Sequence, residues 1–154
     1  MHSILGLGTN HVLFAALISW FVAQALKIPI YHHVEHVWDF SRFHGSGGMP
    51  SSHSATVCAM VVATGRYCGV TSTEFALAAV VSIIVMYDAM GVRYETGEQA
   101  KLLNRMFNEW MDQGVNALPF LGGKKLKEMV GHTPIEVLTG AVLGIALGFA
   151  MPMV

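Results

Sequence analysis

Four apolar stretches, roughly residues 4–26, 54–69, 75–92 and 134–154, leave few folds open to this chain. A helix that crosses a bilayer needs about 20 mostly apolar residues, and these runs match that length or fall slightly short of it. The 154 residues are 53% hydrophobic and 12% charged, with a mean hydropathy of +0.51. Soluble proteins carry about 25% charged residues, so the bilayer is the expected solvent. The second run is short and contains Arg66, but near its end, where a long side chain reaches the headgroups. The expected fold is all-α: a single domain over residues 1–154, an integral membrane helical bundle of about four spans plus one amphipathic interfacial helix. A soluble helical bundle is its rival.

Charge sets the expected topology. Lys27 and Arg42 lie between the first two runs, and Arg93, Lys101, Arg105, Lys124, Lys125 and Lys127 between the last two. Basic residues collect in cytoplasmic loops, so both loops are expected inside. Ala23-Gln24-Ala25 mimics a signal-peptidase site, but no Lys or Arg precedes the first run, which reads as a retained span. A net charge of -1, without an interleaved basic and aromatic surface, gives no case for nucleic acid. Cys58 and Cys68, about 15 Å apart along one helix, are too distant for a disulfide and read as free core thiols.

Two ridges suggest how the helices meet. His132, Glu136, Gly140, Gly144 and Gly148 recur at every fourth position, and Ser51, Ala55, Ala59 and Ala63 do the same. Small residues let membrane helices approach closely, so these ridges are expected to pack together and to bring His53 toward His132. Between the last two runs, Leu102, Leu103, Met106, Phe107, Trp110 and Met111 recur at helical spacing opposite Lys101, Asn104, Arg105, Asn108, Glu109 and Asp112. This is an amphipathic helix, suited to the membrane interface, where it would cover a site and admit a lipid, or to docking on another helix or subunit. Homo-oligomers remain open.

The chemistry concentrates in GGMPSSHSA, residues 47–55, and GHTPIEVLTG, residues 131–140. His132 and Glu136 stand four apart, a spacing that on a helix lets the carboxylate hold the imidazole in one tautomer. That is how an oriented histidine nucleophile is built. Pro50 sets the entry to the other helix, Ser51 or Ser52 caps it, and its free N–H groups and dipole suit an anion. His53 then falls in the first turn, placed to protonate a leaving group.

PSSHS resembles the P-S-G-H motif, and HTPIEVLTG the H-x-P-x-D-V-x-x-G motif, of the type 2 phosphatidic acid phosphatase and vanadium haloperoxidase superfamily. DAMGVRYETGEQAKLLN resembles a divergent branch of it. The resemblance runs from Gly47 onward and implies His132 as phosphohistidine nucleophile, Glu136 as its orienter and His53 as general acid. The parent family carries an Arg six residues before its second histidine, where this chain has Leu126. The opening Lys and Arg-Pro motif is also absent, since Lys27 is followed by Val34 and Glu35 at that spacing. Lys27, Arg42, Arg93, Lys125 and Lys127, with Ser51 and Ser52, are the candidates to rebuild the phosphate cradle.

The sharpest competing pattern is HHVEH, residues 32–36, with the H-x-x-E-H spacing of certain zinc hydrolases and Asp39 and His44 nearby. It needs a helix just beyond Pro29 and lacks an identified third ligand, so a wet interfacial loop is the expectation and no metal is assigned. No Walker loop, G-x-S-x-G elbow or C-x-x-C pair is present. The expected function is a metal-independent lipid phosphate or acid phosphatase. It would hydrolyse a phosphate monoester or pyrophosphate of an amphiphile through a phosphohistidine, without a cofactor, and vanadate would mimic the phosphate. The alternative is a non-catalytic membrane scaffold, or a lipid or anion binder, that keeps the phosphatase-like fold.

Overall fold

The structure is a computed structural model, and it describes residues 10–40, 43, 47–112, 126–128 and 131–152. Five helices account for most of them: α1 His11–Glu35, α2 Ser52–Cys68, α3 Thr73–Met90, α4 Val92–Asp112 and α5 Pro134–Ala150. No strand occurs among the described residues. Four of the five helices, α1, α2, α3 and α5, start on a side-chain cap that satisfies an orphan backbone N–H. Asn10 accepts from Leu13 N, Ser51 from Ser54 N, Ser72 from Phe75 N and Thr133 from Glu136 N. Gly69 ends α2 at φ +89°, a conformation that suits a residue without Cβ.

The core is made of small residues and the periphery of large ones. Ala15, Ser19, Ala23, Ser54, Ala55 and Ala59 are buried, whereas Phe21, Leu77, Ile83, Leu138, Val142 and Phe149 are all more than half exposed. Water would penalise such a surface heavily, and lipid does not; close packing through small residues is how helices associate in a membrane. The chain is therefore an all-α helical bundle of the membrane type. α1 and the stretch Thr73–Trp110, which holds α3 and most of α4, are long and apolar enough to cross a bilayer, and α5 is apolar but shorter. The 17 residues of α2 and of α5 reach about 26 Å at about 1.5 Å per residue, the short end of the spanning range.

α2 is the centre of the bundle and packs most extensively on α5, then on α1 and α3. α2 and α5 run parallel with their small-residue ridges in contact. A Cβ added at Gly140 would overlap Ser51 O, and one at Gly144 would overlap Ala55 O. α1 and α3 run antiparallel to α2. Ser19 Oγ donates to Ala55 O at 2.9 Å and Ser82 Oγ to Val57 O at 3.1 Å, so buried hydroxyls tie neighbouring helices. Consequently the C-terminal ends of α1 and α3 and the N-terminal ends of α2 and α5 meet at one end of the bundle.

Several expectations change. α1 continues through Pro29 to Glu35, well past the expected end of the first span, so Lys27 is a helical residue and only 2% exposed. Bundle contacts stabilise a proline-containing helix by satisfying the groups that proline frees. Arg66 donates to the carbonyls of Gly148, Phe149 and Met151 at 2.7, 2.9 and 2.9 Å, closing the C-terminus of α5. Of the two free cysteines, Cys58 is buried but Cys68 is exposed, not a core thiol. On α4, Leu102, Leu103, Met106 and Trp110 form an exposed apolar face. Asn104, expected on the opposite polar face, is buried with Gly97 and Ala100.

Candidate active site

His53, His132 and Glu136 stand in a line where α2 and α5 begin. His132 Nδ1 lies 3.1 Å from Glu136 Oε2, and its Nε2 lies 3.4 Å from His53 Nδ1. An ionised carboxylate only accepts, so Nδ1 of His132 carries the hydrogen and donates it to Glu136, leaving the Nε2 lone pair toward His53. His132 is 1% exposed, which shields that nitrogen from bulk water.

His132 is not on the helix, as the spacing suggested. It precedes the cap residue Thr133, and Glu136 reaches back from the third helical position. The carboxylate is held there by a capping box. Thr133 N–H donates to Glu136 Oε2 at 3.1 Å, while Glu136 N–H donates to Thr133 Oγ1 at 3.4 Å. The backbone requirement of the helix start and the orientation of the imidazole are thus met by one side chain. Ser51 N–H donates to Glu136 O at 2.9 Å, locking the start of α2 to the first turn of α5.

Two parallel helix N-termini side by side concentrate partial positive charge at this end. Lys27 lies close enough to act electrostatically on both His53 and Glu136, and Arg93 acts on His53. Arg93 is also paired with Asp88, Nε to Oδ2, at 2.6 Å. A cleft of about 420 Å³ runs beside Glu136, between Lys27, Ile30, Tyr31, Val34 and Met49. A smaller polar recess of about 140 Å³ borders the other side of Glu136, with Tyr94, Lys101, Glu128 and Thr133 in its wall. A larger cavity, about 550 Å³, is at the far end of the bundle near Asn10 and Tyr67, away from both histidines.

The remaining candidates divide. Ser51 and Ser52 are buried at the mouth of α2, but the Ser51 hydroxyl is engaged as the cap, accepting from Ser54 N and Ser54 Oγ. Lys127 is exposed on the segment 126–128 and has no described contact with either histidine. Arg42 and Lys125 lie outside the described residues. HHVEH is not the expected loop: α1 runs on through Pro29, His32 and His33 occupy its last turn and His36 its cap at φ 57°, while the His32 ring stacks on Trp38 at 4.0 Å. Among the described residues no three His, Cys, Asp or Glu side chains are grouped to hold a metal ion.

Asn104 and Gly131 escaped the sequence reading as parts of the site. Asn104 binds the peptide of Leu126 and Gly131 lies against the backbone of Tyr94, and the signal for Asn104 is a stripe, Gly97, Ala100 and Asn104, on which the two other residues are small.

The sequence model of the Divergent PAP2 family matches residues 8–147. The chain belongs to that family. The Divergent PAP2 match takes in α1 to α4 and all but the last three residues of α5, so it includes α1, which lies outside the two histidine motifs. The chain is also 40% identical over 145 residues to the uncharacterized membrane protein YuiD of Bacillus subtilis (strain 168), covering 90% of this chain and 92% of the relative. No solved structure matches it. It is thus a PAP2-related membrane protein, in agreement with the lipid-facing surface of its helices.

Proposed function

We propose that this chain is a multi-pass membrane phosphatase that hydrolyses a phosphate monoester or pyrophosphate of an amphiphile through a phosphohistidine. The observation that carries the reading is the line Glu136, His132, His53, with contacts of 3.1 and 3.4 Å, set where two helix N-termini and the buried Lys27 meet. His132 Nε2 attacks phosphorus, the P–N bond forms as the P–O bond breaks, and the leaving oxygen takes its proton from His53. Glu136 holds the Nδ1 hydrogen and stabilises the positive imidazole that develops. Water then gives a proton to His53 and its oxygen to phosphorus, the P–N bond breaks, and phosphate and free His132 result. Lys27, Arg93 and the N-terminal N–H groups of α2 neutralise the phosphate oxygens.

A phosphoryl group needs more room than the 3.4 Å between the two nitrogens, so His53 swings off His132 when substrate enters. That closed contact, with Leu126 in place of the family arginine, favours a second reading: a non-catalytic scaffold or anion binder that keeps the fold. The deciding assay measures phosphate release from lipid phosphates and isoprenoid diphosphates by the folded protein in detergent. Release coupled to an acid-labile phosphoprotein supports the enzyme, and a folded wild type that releases none from any substrate leaves the scaffold.

Glu136→Gln tests the orienter. The amide still accepts from Thr133 N–H, so α5 keeps its cap, but it carries no charge to match the imidazolium. Turnover is expected to fall by about 10²-fold or more with little change in thermal stability. Equal loss of both would mean that Glu136 serves only the helix.

The reading places the site at the cytoplasmic face. All Lys and Arg residues except Arg66 fall in the segments joined at the histidine end or near the end of α1 that faces it. Lys127→Cys, in a Cys58→Ser, Cys68→Ser background, is expected to react with an impermeant maleimide only in inside-out vesicles. Labelling from the external side of intact cells would reverse the topology.

A further inference from the structure

We propose that Asn104 is a positioning residue for His132, a deepening that rests on the nucleophile role given to His132 above. Glu136 is placed by the geometry of α5, but His132 precedes the helix cap, so the helix does not set its backbone. Other contacts must. His132 N–H donates to Ala89 O at the end of α3, at 3.1 Å. A Cβ on Gly131 would overlap the backbone of Tyr94, so Gly131, the residue before His132, lies flat against the start of α4.

Asn104 supplies the third hold. Its Nδ2 donates to Leu126 O at 2.9 Å and its Oδ1 accepts from Leu126 N–H at 3.0 Å, as a neighbouring strand would. The same Nδ2 donates to Glu128 Oε1 at 2.8 Å. Asn104 is 6% exposed, so either group of its amide left unpaired would be costly. Only a side chain with donor and acceptor on one planar group satisfies a peptide in this way. An aspartate of the same shape would set oxygen against Leu126 O and Glu128. Leu126 stands where the resembled family carries its arginine; here that position contributes its backbone, gripped by α4.

The test uses the full chain in detergent with nitrogen-15-labelled histidines, comparing wild type with Asn104→Ala, the isosteric Asn104→Asp, and Glu128→Gln. Wild type is expected to give one ordered His132 signal with a hydrogen-bonded Nδ1 proton. Asn104→Asp and Asn104→Ala are expected to split or broaden it, while Glu128→Gln, which leaves the Leu126 pair intact, preserves it. Turnover should fall by about 10²-fold in both Asn104 variants with KM nearly unchanged, the signature of a misplaced nucleophile. A lowered melting temperature with the His132 signal and kcat at wild-type values would overturn the proposal. If Asn104→Ala does not fold, Asn104→Asp decides. If wild type shows no turnover, the phosphatase reading fails, and the resonance still reports whether Asn104 orders His132.

Discussion

His132→Ala is expected to abolish phosphate release, by about 10⁴-fold or more, and to remove the phosphoprotein. The structure holds one imidazole against a carboxylate with its other nitrogen aimed at a second imidazole, and among the described residues no other stands in that relation. His53 cannot substitute as nucleophile, because no carboxylate is described on its far nitrogen and it lies half-buried at the mouth of α2. His53→Ala should behave differently. It removes the acid for the leaving oxygen, so alkyl phosphates should slow by about 10²- to 10⁴-fold. An aryl phosphate such as p-nitrophenyl phosphate needs little acid help and should slow less in the first step, with phosphoprotein accumulating because water also lacks its base. Equal losses with alkyl and aryl substrates, and no accumulation, would remove His53 from proton transfer.

Gly144→Ala is expected to destabilise the bundle by about 3 kcal/mol or more, the upper end of what overpacking costs. Its new Cβ would lie within contact of Ala55 O, Cα and C, all backbone atoms that yield only if α2 and α5 separate. Gly140→Ala meets Ser51 in the same way, and Ser51 is both the cap of α2 and the residue whose N–H bonds Glu136 O. That variant should therefore lose stability and also widen the gap between His53 and His132. Gly148→Ala should be milder, since it meets chiefly the Val62 side chain at 2.8 Å, with Ala59 O at 3.1 Å. Thermal unfolding of the three variants in one detergent checks the order. Three variants as stable as wild type would mean that the ridges do not pack as described.

Much of the site was legible because it obeys local rules. Proline and threonine ahead of an apolar run, with a glutamate at the third helical position, announce the start of α5, and the same glutamate is within reach of the histidine before it. Matching four-residue ridges of Ala, Ser and Gly announced that α2 and α5 would touch, because only small side chains permit such an approach. What was misplaced obeys no local rule. Lys27 lies between two apolar runs and reads as a loop residue, yet α1 carries it inward to the electrostatic neighbourhood of Glu136 and His53. Asn104 was assigned to the polar face of α4, but Leu126 offers it a peptide to bind.

The sequence by itself determined the lipid solvent, the all-helical fold, the two histidine motifs and the pairing of the small-residue ridges, because hydropathy, caps and helical spacing act within about one to four residues. Only the tertiary structure decided that the approach of the two histidines ends in direct contact, that Lys27 is a cation buried near them, and that His132, ahead of the helix, bonds Ala89 O of α3. Those features depend on groups far apart in the chain that meet only when the bundle closes. No local pattern encodes such a meeting; the packing of α1 on α2 and α5, and of α3 and the start of α4 on Gly131 and His132 ahead of α5, creates it.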